Sequence, residues 1–458
     1  MNSVINSFPN DSAWRRVLSL LGVLLISGCG GDTLTGGGTQ PTGDFELRSL
    51  SAEYVLIEGD ETGLRVPLTL SRTNGHSTPV DLSISGVSPD DVAFVTSSFT
   101  RLTLTPSEDE SEMVLKLAIA DLPLLPQQRD FILTATDGID RDELPIRVSV
   151  QPVDAPDVYL LIGQSNMVGF SGDGTRQALP GGQDEPHPRI KQLNVTPNDR
   201  EELFLSGADF RSPVLNVESP AITVAEDPLH IPLDPYNSGK DLQYIGLGLS
   251  FAKRALLDTS RDIILVPAAW SGSAFCNNEG GPNGQWNAQA TTDPDLGNTW
   301  LFDRAVTRAN MAIDTSGGIL RGILWHQGES DSNERCGDAY AQNIKTLVNR
   351  LRTTITTDRR GATMRRADSN IPFVAGTMSR GIDSRGDLST FSPSKQLVDA
   401  AHRNLPGRVP YTGVSNHDDL TPANGYPCGN TSCVHFGADA LREMGRRYYE
   451  ALIAAARS

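Results

Sequence analysis

From about Asp44 to Pro152 apolar and polar positions alternate in short runs, among them "LRVPLTLSR", "VDLSISG", "TRLTLTPS", "MVLKLAIA", "RDFILTATDG" and "LPIRVSV". Turn-rich pieces separate them at intervals of roughly ten residues, the spacing of an antiparallel, Ig-like β-sandwich. After Pro156 the period changes. "VYLLIG", "DIILVPAAW", "GILRGILWHQ" and "IPFVAGT" are continuous apolar runs of strand length, and "LGLSFAKRALL", "AYAQNIKTLVNRLRTTI" and "GADALREMGRRYYEALIAAA" carry apolar residues at helical spacing. Buried strands alternating with amphipathic helices predict an α/β domain, a parallel sheet with helices on both faces. "VDAP", Val153 to Pro156, reads as the hinge between the two regions. Between about residues 172 and 240 the chain is rich in Pro, Gly and Asp with weak periodicity, which marks a long insertion or lid.

The amino terminus follows neither pattern. Arg15-Arg16, the apolar run Val17 to Ile26 and then Ser27-Gly28-Cys29 have the layout of a secretory signal, too short for a spanning helix. The "ISGC" end resembles a bacterial lipobox, which implies a signal peptide over residues 1–28 and lipidation of Cys29. The absence of Asp directly after Cys29 implies the outer membrane of a Gram-negative cell envelope. Residues 29–43, with "GGDTLTGGGTQPTG", are expected to be a flexible tether. The remaining cysteines, Cys276, Cys336, Cys428 and Cys433, form an even set in an exported chain, so two disulfides are expected rather than a metal site. Cys428 and Cys433 are close enough in sequence to clip one loop, which would leave Cys276 with Cys336. No metal or cofactor is expected, because no Cys/His ligand spacing is present. The formal net charge of −17 over 458 residues argues against nucleic acid as a partner.

Candidate chemistry lies where strands end. "VYLLIGQSNM" runs from an apolar strand into small polar residues, placing Ser165 in a loop of the kind where open α/β sheets bind ligands. "VPAAWSGSAF" places Gly272 after another strand, "ILWHQGESDS" places Gln327, Glu329 and Asp331 after a third, and "CVHFGADALREMG" places His435 before the last helix. The carboxyl ends of parallel strands lie along one edge of a sheet, so these residues can converge. Acyl transfer needs a hydroxyl nucleophile, a base to take its proton and fixed donors for the oxyanion. Ser165 and His435, the backbone N–H groups of Ser165 and Gly272, and the amide of Gln327 would supply them. Of the seven histidines, His435 alone leads directly into an amphipathic terminal helix, while His326 points to the side of its strand opposite Gln327 and reads as structural. Asp331 reads as a loop cap. Trp270, Phe275 and Trp286 have the chemistry to stack on sugar faces, although packing is the commoner use of such residues.

"GQSNM", "WHQGESD" and "VHFGADALREMG" resemble the SGNH-hydrolase superfamily, in its branch of acetylxylan esterases and sialate O-acetylesterases, over roughly Asp157 to Ser458. The resemblance implies a flavodoxin-like three-layer fold, Ser165 as nucleophile, His435 as general base, and Ser165, Gly272 and Gln327 at the oxyanion hole. The GxSxG elbow of the larger α/β-hydrolase class is absent. Many members carry Asp three residues before the histidine, where this chain has Ser432. Another group must then orient His435, with Glu329 the first candidate and Asp419 the second, or the site works as a dyad.

Together these readings describe an exported, lipid-anchored carbohydrate esterase that removes O-acetyl groups from a polysaccharide or sialoglycan, its β-sandwich spacing it from the membrane. Two alternatives compete. One is a non-catalytic carbohydrate-binding surface lipoprotein, favoured only by Ser432; the other is an esterase acting on a non-sugar ester.

Overall fold

In the computed structural model, residues 44–60, 62–86, 95–117, 127–169, 183–193, 221–230, 245–276, 286–289, 299–355, 371–380, 391–420 and 434–457 are described. They begin with nine strands: β1 (Phe45–Ser49), β2 (Glu53–Ile57), β3 (Leu64–Arg72), β4 (Val80–Ser85), β5 (Val95–Ser97), β6 (Arg101–Leu104), β7 (Glu110–Leu117), β8 (Gln127–Thr136) and β9 (Arg141–Gln151). These form a four-stranded sheet ordered β1-β3-β7-β5 and a five-stranded sheet ordered β2-β9-β8-β4-β6. Alternation accounts for the pairing of the two sheets. Val66, Leu68 and Leu70 of β3 and Phe131, Leu133 and Ala135 of β8, every second residue, enter one shared apolar cluster. One pair departs from the antiparallel pattern, because β2 runs parallel to β9.

The second part begins with β10 (Asp157–Gly163), whose seven residues are all buried. It continues through α1 (Ser165–Val168), β11 (Ile190–Leu193), β12 (Ile222–Val224), α2 (Gly248–Ala255), β13 (Ile263–Pro267), α3 (Trp300–Ser316) and β14 (Ile319–His326). The chain then forms α4 (Gly337–Thr354), β15 (Phe373–Gly376), α5 (Pro393–Arg403), β16 (Thr412–Ser415) and α6 (Ala438–Ala456). Seven strands make one sheet in the order β12-β11-β13-β10-β14-β15-β16. Every pairing is parallel except that of β12 with β11 at the edge.

The core order β13-β10-β14-β15-β16 is the 2-1-3-4-5 arrangement of flavodoxin-like sheets. β11 and β12 extend it on the β13 side. Both lie inside the stretch 172–240 that the sequence marks as an insertion. Part of that stretch therefore belongs to the sheet, and short segments such as "IKQL" are too brief to display a period. Helices cover both faces. Val158, Leu160 and Ile162 of β10 share one apolar cluster with α3, α4 and α5, whereas Tyr159 and Leu161 share the other with α2 and α6. A central parallel strand must be apolar on both faces, and for that reason "VYLLIG" reads as one continuous run.

Candidate active site

Two strand ends build the centre of the site. β10 leaves the sheet through Gly163, whose φ of 133° belongs to glycine. A Cβ at Gly163 would lie 2.0 Å from the carbonyl oxygen of His326 on the neighbouring strand, so only glycine lets β10 and β14 close at this point. The Gln164 N–H donates to that carbonyl at 2.8 Å. The chain then turns into α1, and Ser165, its first residue, remains partly exposed while Asn166, Met167 and Val168 are buried. Ser165 thus stands at the boundary between β10 and β14, the switch point of this sheet order, where open α/β sheets bind ligands.

His435 reaches the same place from the segment before α6. Its Nε2 lies 2.9 Å from Ser165 Oγ. Desolvation lowers its pKa to about 4, so the ring is neutral at ordinary pH and can accept a proton. Other histidines are spent on structure. His326 Nδ1 lies 2.9 Å from the hydroxyl of Tyr448 on α6. His402 Nε2 lies 2.8 Å from the hydroxyl of Tyr340, and His417 Nε2 lies 2.7 Å from Ser415 Oγ.

Strand alternation turns His326 towards α6 and Gln327 towards α4, where Tyr340 resides. Gln327 is fully buried, and its Nε2 donates to Asp331 Oδ2 at 2.8 Å and to the Ser273 carbonyl at 3.1 Å. Its Oε1 accepts from the Tyr340 hydroxyl at 2.9 Å. An amide nitrogen has two protons, and both are engaged here. In this arrangement the side chain that the sequence reading placed at the oxyanion hole ties the loop after β14 to the loop after β13. Asp331 completes the tie. Its carboxylate accepts from the N–H groups of Phe275, at 2.9 Å, and of Cys276, at 3.1 Å. Burial holds the Asp331 pKa up, at about 6. The loop fastened in this way includes Gly272, with φ of 72°, whose peptide is the remaining backbone candidate beside that of Ser165.

Neither carboxylate weighed as a partner for His435 is engaged with it. Glu329 Oε1 accepts from Asn166 Nδ2 at 2.9 Å and lies 3.9 Å from His326 Nε2, while its buried Oε2 has no hydrogen-bond partner among the described residues. Desolvation raises its pKa. Asp419 is exposed and forms a two-pronged pair with Arg447 of α6, at 2.5 and 2.8 Å. Trp270, Phe275 and Trp286 lie in the core cluster, and Trp286 Nε1 donates to Ser273 Oγ at 2.8 Å, so all three pack rather than line an open cleft.

Cys276 and Cys336 do come together. Their sulfurs and an Asp331 carboxylate oxygen lie within 4.8 Å of one another. Both are free thiols, however, and the expected bridge between them is not formed. The hydrogen bond between the two thiols raises the pKa of Cys276 and lowers that of Cys336. Cys29, Cys428, Ser432 and Cys433 lie outside the described residues. Two contributors escaped the sequence reading. Asn166 carried a usable signal, an amide directly after the candidate nucleophile in "GQSNM"; Tyr340, the second residue of "AYAQNIKTLVNRLRTTI", carried none beyond an aromatic on a helix.

The sheet and the polar side chains converging at its switch point define a flavodoxin-like α/β architecture with a candidate ligand site. Within it, residues 209–454, more than half of the 458, match the model of the family described as carbohydrate esterase, sialic acid-specific acetylesterase. The chain belongs to this family. The match takes in Gly272, Gln327, Glu329 and His435 and begins after Ser165. A probable carbohydrate esterase of Arabidopsis thaliana is 27% identical over 224 residues, which are 47% of this chain and 69% of that protein. Among solved structures, a carbohydrate acetylesterase from Xanthomonas citri is similar at 16% identity, over 88% of this chain and 73% of the other, with a TM-score of 0.41. NanS is similar at 19% identity, over 66% of this chain and 97% of the other, with a TM-score of 0.42.

Proposed function

We propose that the protein removes O-acetyl groups from carbohydrate, a polysaccharide or a sialoglycan, by serine acyl-transfer chemistry. The observation that carries this reading is the 2.9 Å contact between His435 Nε2 and Ser165 Oγ, made across the switch point of the sheet. His435, neutral above about pH 4, takes the hydroxyl proton as Ser165 attacks the acetyl carbonyl. Negative charge then gathers on the carbonyl oxygen, and the backbone N–H groups of Ser165 and Gly272 are the donors we assign to it. Collapse expels the sugar hydroxyl, protonated by His435, and leaves an acetyl group on Ser165. Water, deprotonated by the same histidine, releases acetate and restores the enzyme. Gln327 and Asp331 hold the Gly272 loop against the nucleophile turn. No metal or cofactor enters this scheme.

The remaining readings belong to the same proposal. Residues 1–28 direct export, Cys29 carries lipid, and residues 29–43 tether the chain to the outer membrane of a bacterial envelope. Residues 44–152 act as a β-sandwich spacer ahead of the esterase domain. Acetate release from acetylated xylan, O-acetylated sialic acid and p-nitrophenyl acetate tests the activity. We expect wild-type protein to act on at least one sugar ester, and Ser165→Ala and His435→Ala each to lose about four to six orders of magnitude in turnover with the fold intact. Hydrolysis of the aryl ester alone would move the substrate outside carbohydrate.

A further inference from the structure

One buried side chain touches both peptide groups that flank the base. Asn166 has no exposed surface. Its Nδ2 donates to the carbonyl of Val434 at 2.8 Å and to Glu329 Oε1 at 2.9 Å, and its Oδ1 accepts from the N–H of Phe436 at 3.1 Å. Two amide protons thus meet two acceptors, and the amide oxygen meets a donor. The reversed orientation would set oxygen against two oxygens, so chemistry fixes which way the amide points. Val434 and Phe436 are the immediate neighbours of His435, and Asn166 is the immediate neighbour of Ser165. A short, closed circuit therefore runs from nucleophile to base through one amide.

We propose that Asn166 is the positioning residue that sets His435 against Ser165, and that Glu329 acts through Asn166 rather than on the imidazole. The proposal rests on the reading of Ser165 and His435 as nucleophile and base. Without the amide, the segment 434–436 loses its two anchors to the nucleophile turn, and an error of about 1 Å in such a contact is enough to cost roughly a hundredfold in rate. Glu329 supplies the acceptor that holds the second Nδ2 proton. Its own surroundings place His326 Nε2 3.9 Å from Oε1, and Lys395 of α5 contributes a favourable charge. The buried hydroxyls of Tyr340 and Tyr448 also feel the Glu329 charge, and His435 stands on the far side of the amide; these are the titratable groups that face this place among the described residues.

The test is kinetic, on full-length protein with an acetyl ester and with an organophosphate probe that titrates the active serine. Asn166→Ala should label to the wild-type endpoint, roughly a hundredfold more slowly, and lose kcat to a similar degree with KM little changed, because Asn166 is buried and away from substrate. Asn166→Asp keeps the shape but places a carboxylate against Glu329 and the Val434 carbonyl. Protonation restores a donor, so the ratio of its activity to wild type should rise as the pH falls, a response that a packing defect alone does not produce. Glu329→Gln, which keeps an oxygen for Asn166, should lose less than about tenfold, whereas loss of an acid bonded directly to the base costs about ten-thousandfold. Wild-type labelling rates in Asn166→Ala, a flat activity ratio for Asn166→Asp, or a ten-thousandfold loss in Glu329→Gln would each overturn the proposal. If Asn166→Ala does not fold, the other two variants decide. Ser165→Ala and His435→Ala separate the two levels: their activity would defeat the serine reading itself, while their inactivity beside a normal Asn166→Ala defeats this inference alone.

Discussion

His435 is held neutral by the company it keeps. Desolvation takes its pKa from the ordinary value near 6.5 down to about 4, so the basic form persists over two further pH units of acid. The acid limb of kcat/KM should therefore fall near pH 4 rather than near 6.5, and a pH profile on a neutral acetyl ester reads it directly. That Ser165 and His435 could meet was legible in the sequence, because apolar strands followed by small polar residues announce where a parallel sheet presents its side chains. Gln327 was legible as a polar side chain at a strand end but not in its hydrogen-bond partners. Its two acceptors are Asp331, four positions on, and Ser273 on a different strand end, and no local pattern encodes the second. We expect Gln327→Ala to lose both turnover and stability, the latter by about 1–3 kcal/mol for the buried Asp331 and Tyr340 groups left unpaired. Thermal unfolding measured beside kinetics checks this. A rate defect with unchanged stability would return Gln327 to the oxyanion.

At the scale of elements, most long periodic runs were legible and short ones were not, but the 17-residue α3 (Trp300–Ser316) was missed. "VYLLIG", "DIILVPAAW", "GILRGILWHQ" and "IPFVAGT" coincide with β10, β13, β14 and β15. β16 is only Thr412–Ser415 and holds a glycine, and β12 is three residues at an edge, so neither carries a period to detect. The helix α5 was missed despite readable punctuation: Ser392 caps it by accepting from the Lys395 N–H, and Pro393 occupies its first turn. Parallel pairing of β2 with β9 is another long-range fact that alternation leaves open, since a strand's period is the same in either direction. The junction of β10 with β14 supplies the prediction for this scale. Gly163→Ala would force a methyl against the His326 carbonyl, 2.0 Å from its Cβ, in a backbone conformation that alanine avoids. It should lower the unfolding midpoint and abolish activity together, as read by calorimetry and acetate release; a folded, active variant would mean that the strand ends can separate freely.

A buried cluster of charge joins the described β-strands of residues 44–151 to the α/β sheet. Glu58, at the end of β2, is fully buried and pairs through Oε2 with Arg261 Nη1 at 3.0 Å and through Oε1 with Arg321 Nη1 at 3.2 Å. The same two arginines pair with Asp157 at the start of β10, at 2.8 and 2.9 Å. Removing one member of such a set strands the opposite charges, at a cost of about 3–5 kcal/mol. Glu58→Ala should lower the unfolding free energy measured by chemical denaturation by an amount in that range while leaving the Ser165–His435 contact in place; an unchanged free energy would show that this cluster contributes nothing to holding the β-strands to the α/β sheet. None of it was legible beforehand, since an acid and two arginines separated by 203 and 263 residues share no local pattern.

The acyl-enzyme tests the central claim most directly. Turnover of an acetylated sugar, stopped in acid and followed by peptide mass spectrometry, should find one acetyl group on the peptide carrying Ser165, at Ser165 itself, and none there in Ser165→Ala. Steady acetate release with Ser165 unmodified, and undiminished in the alanine variant, would contradict the account.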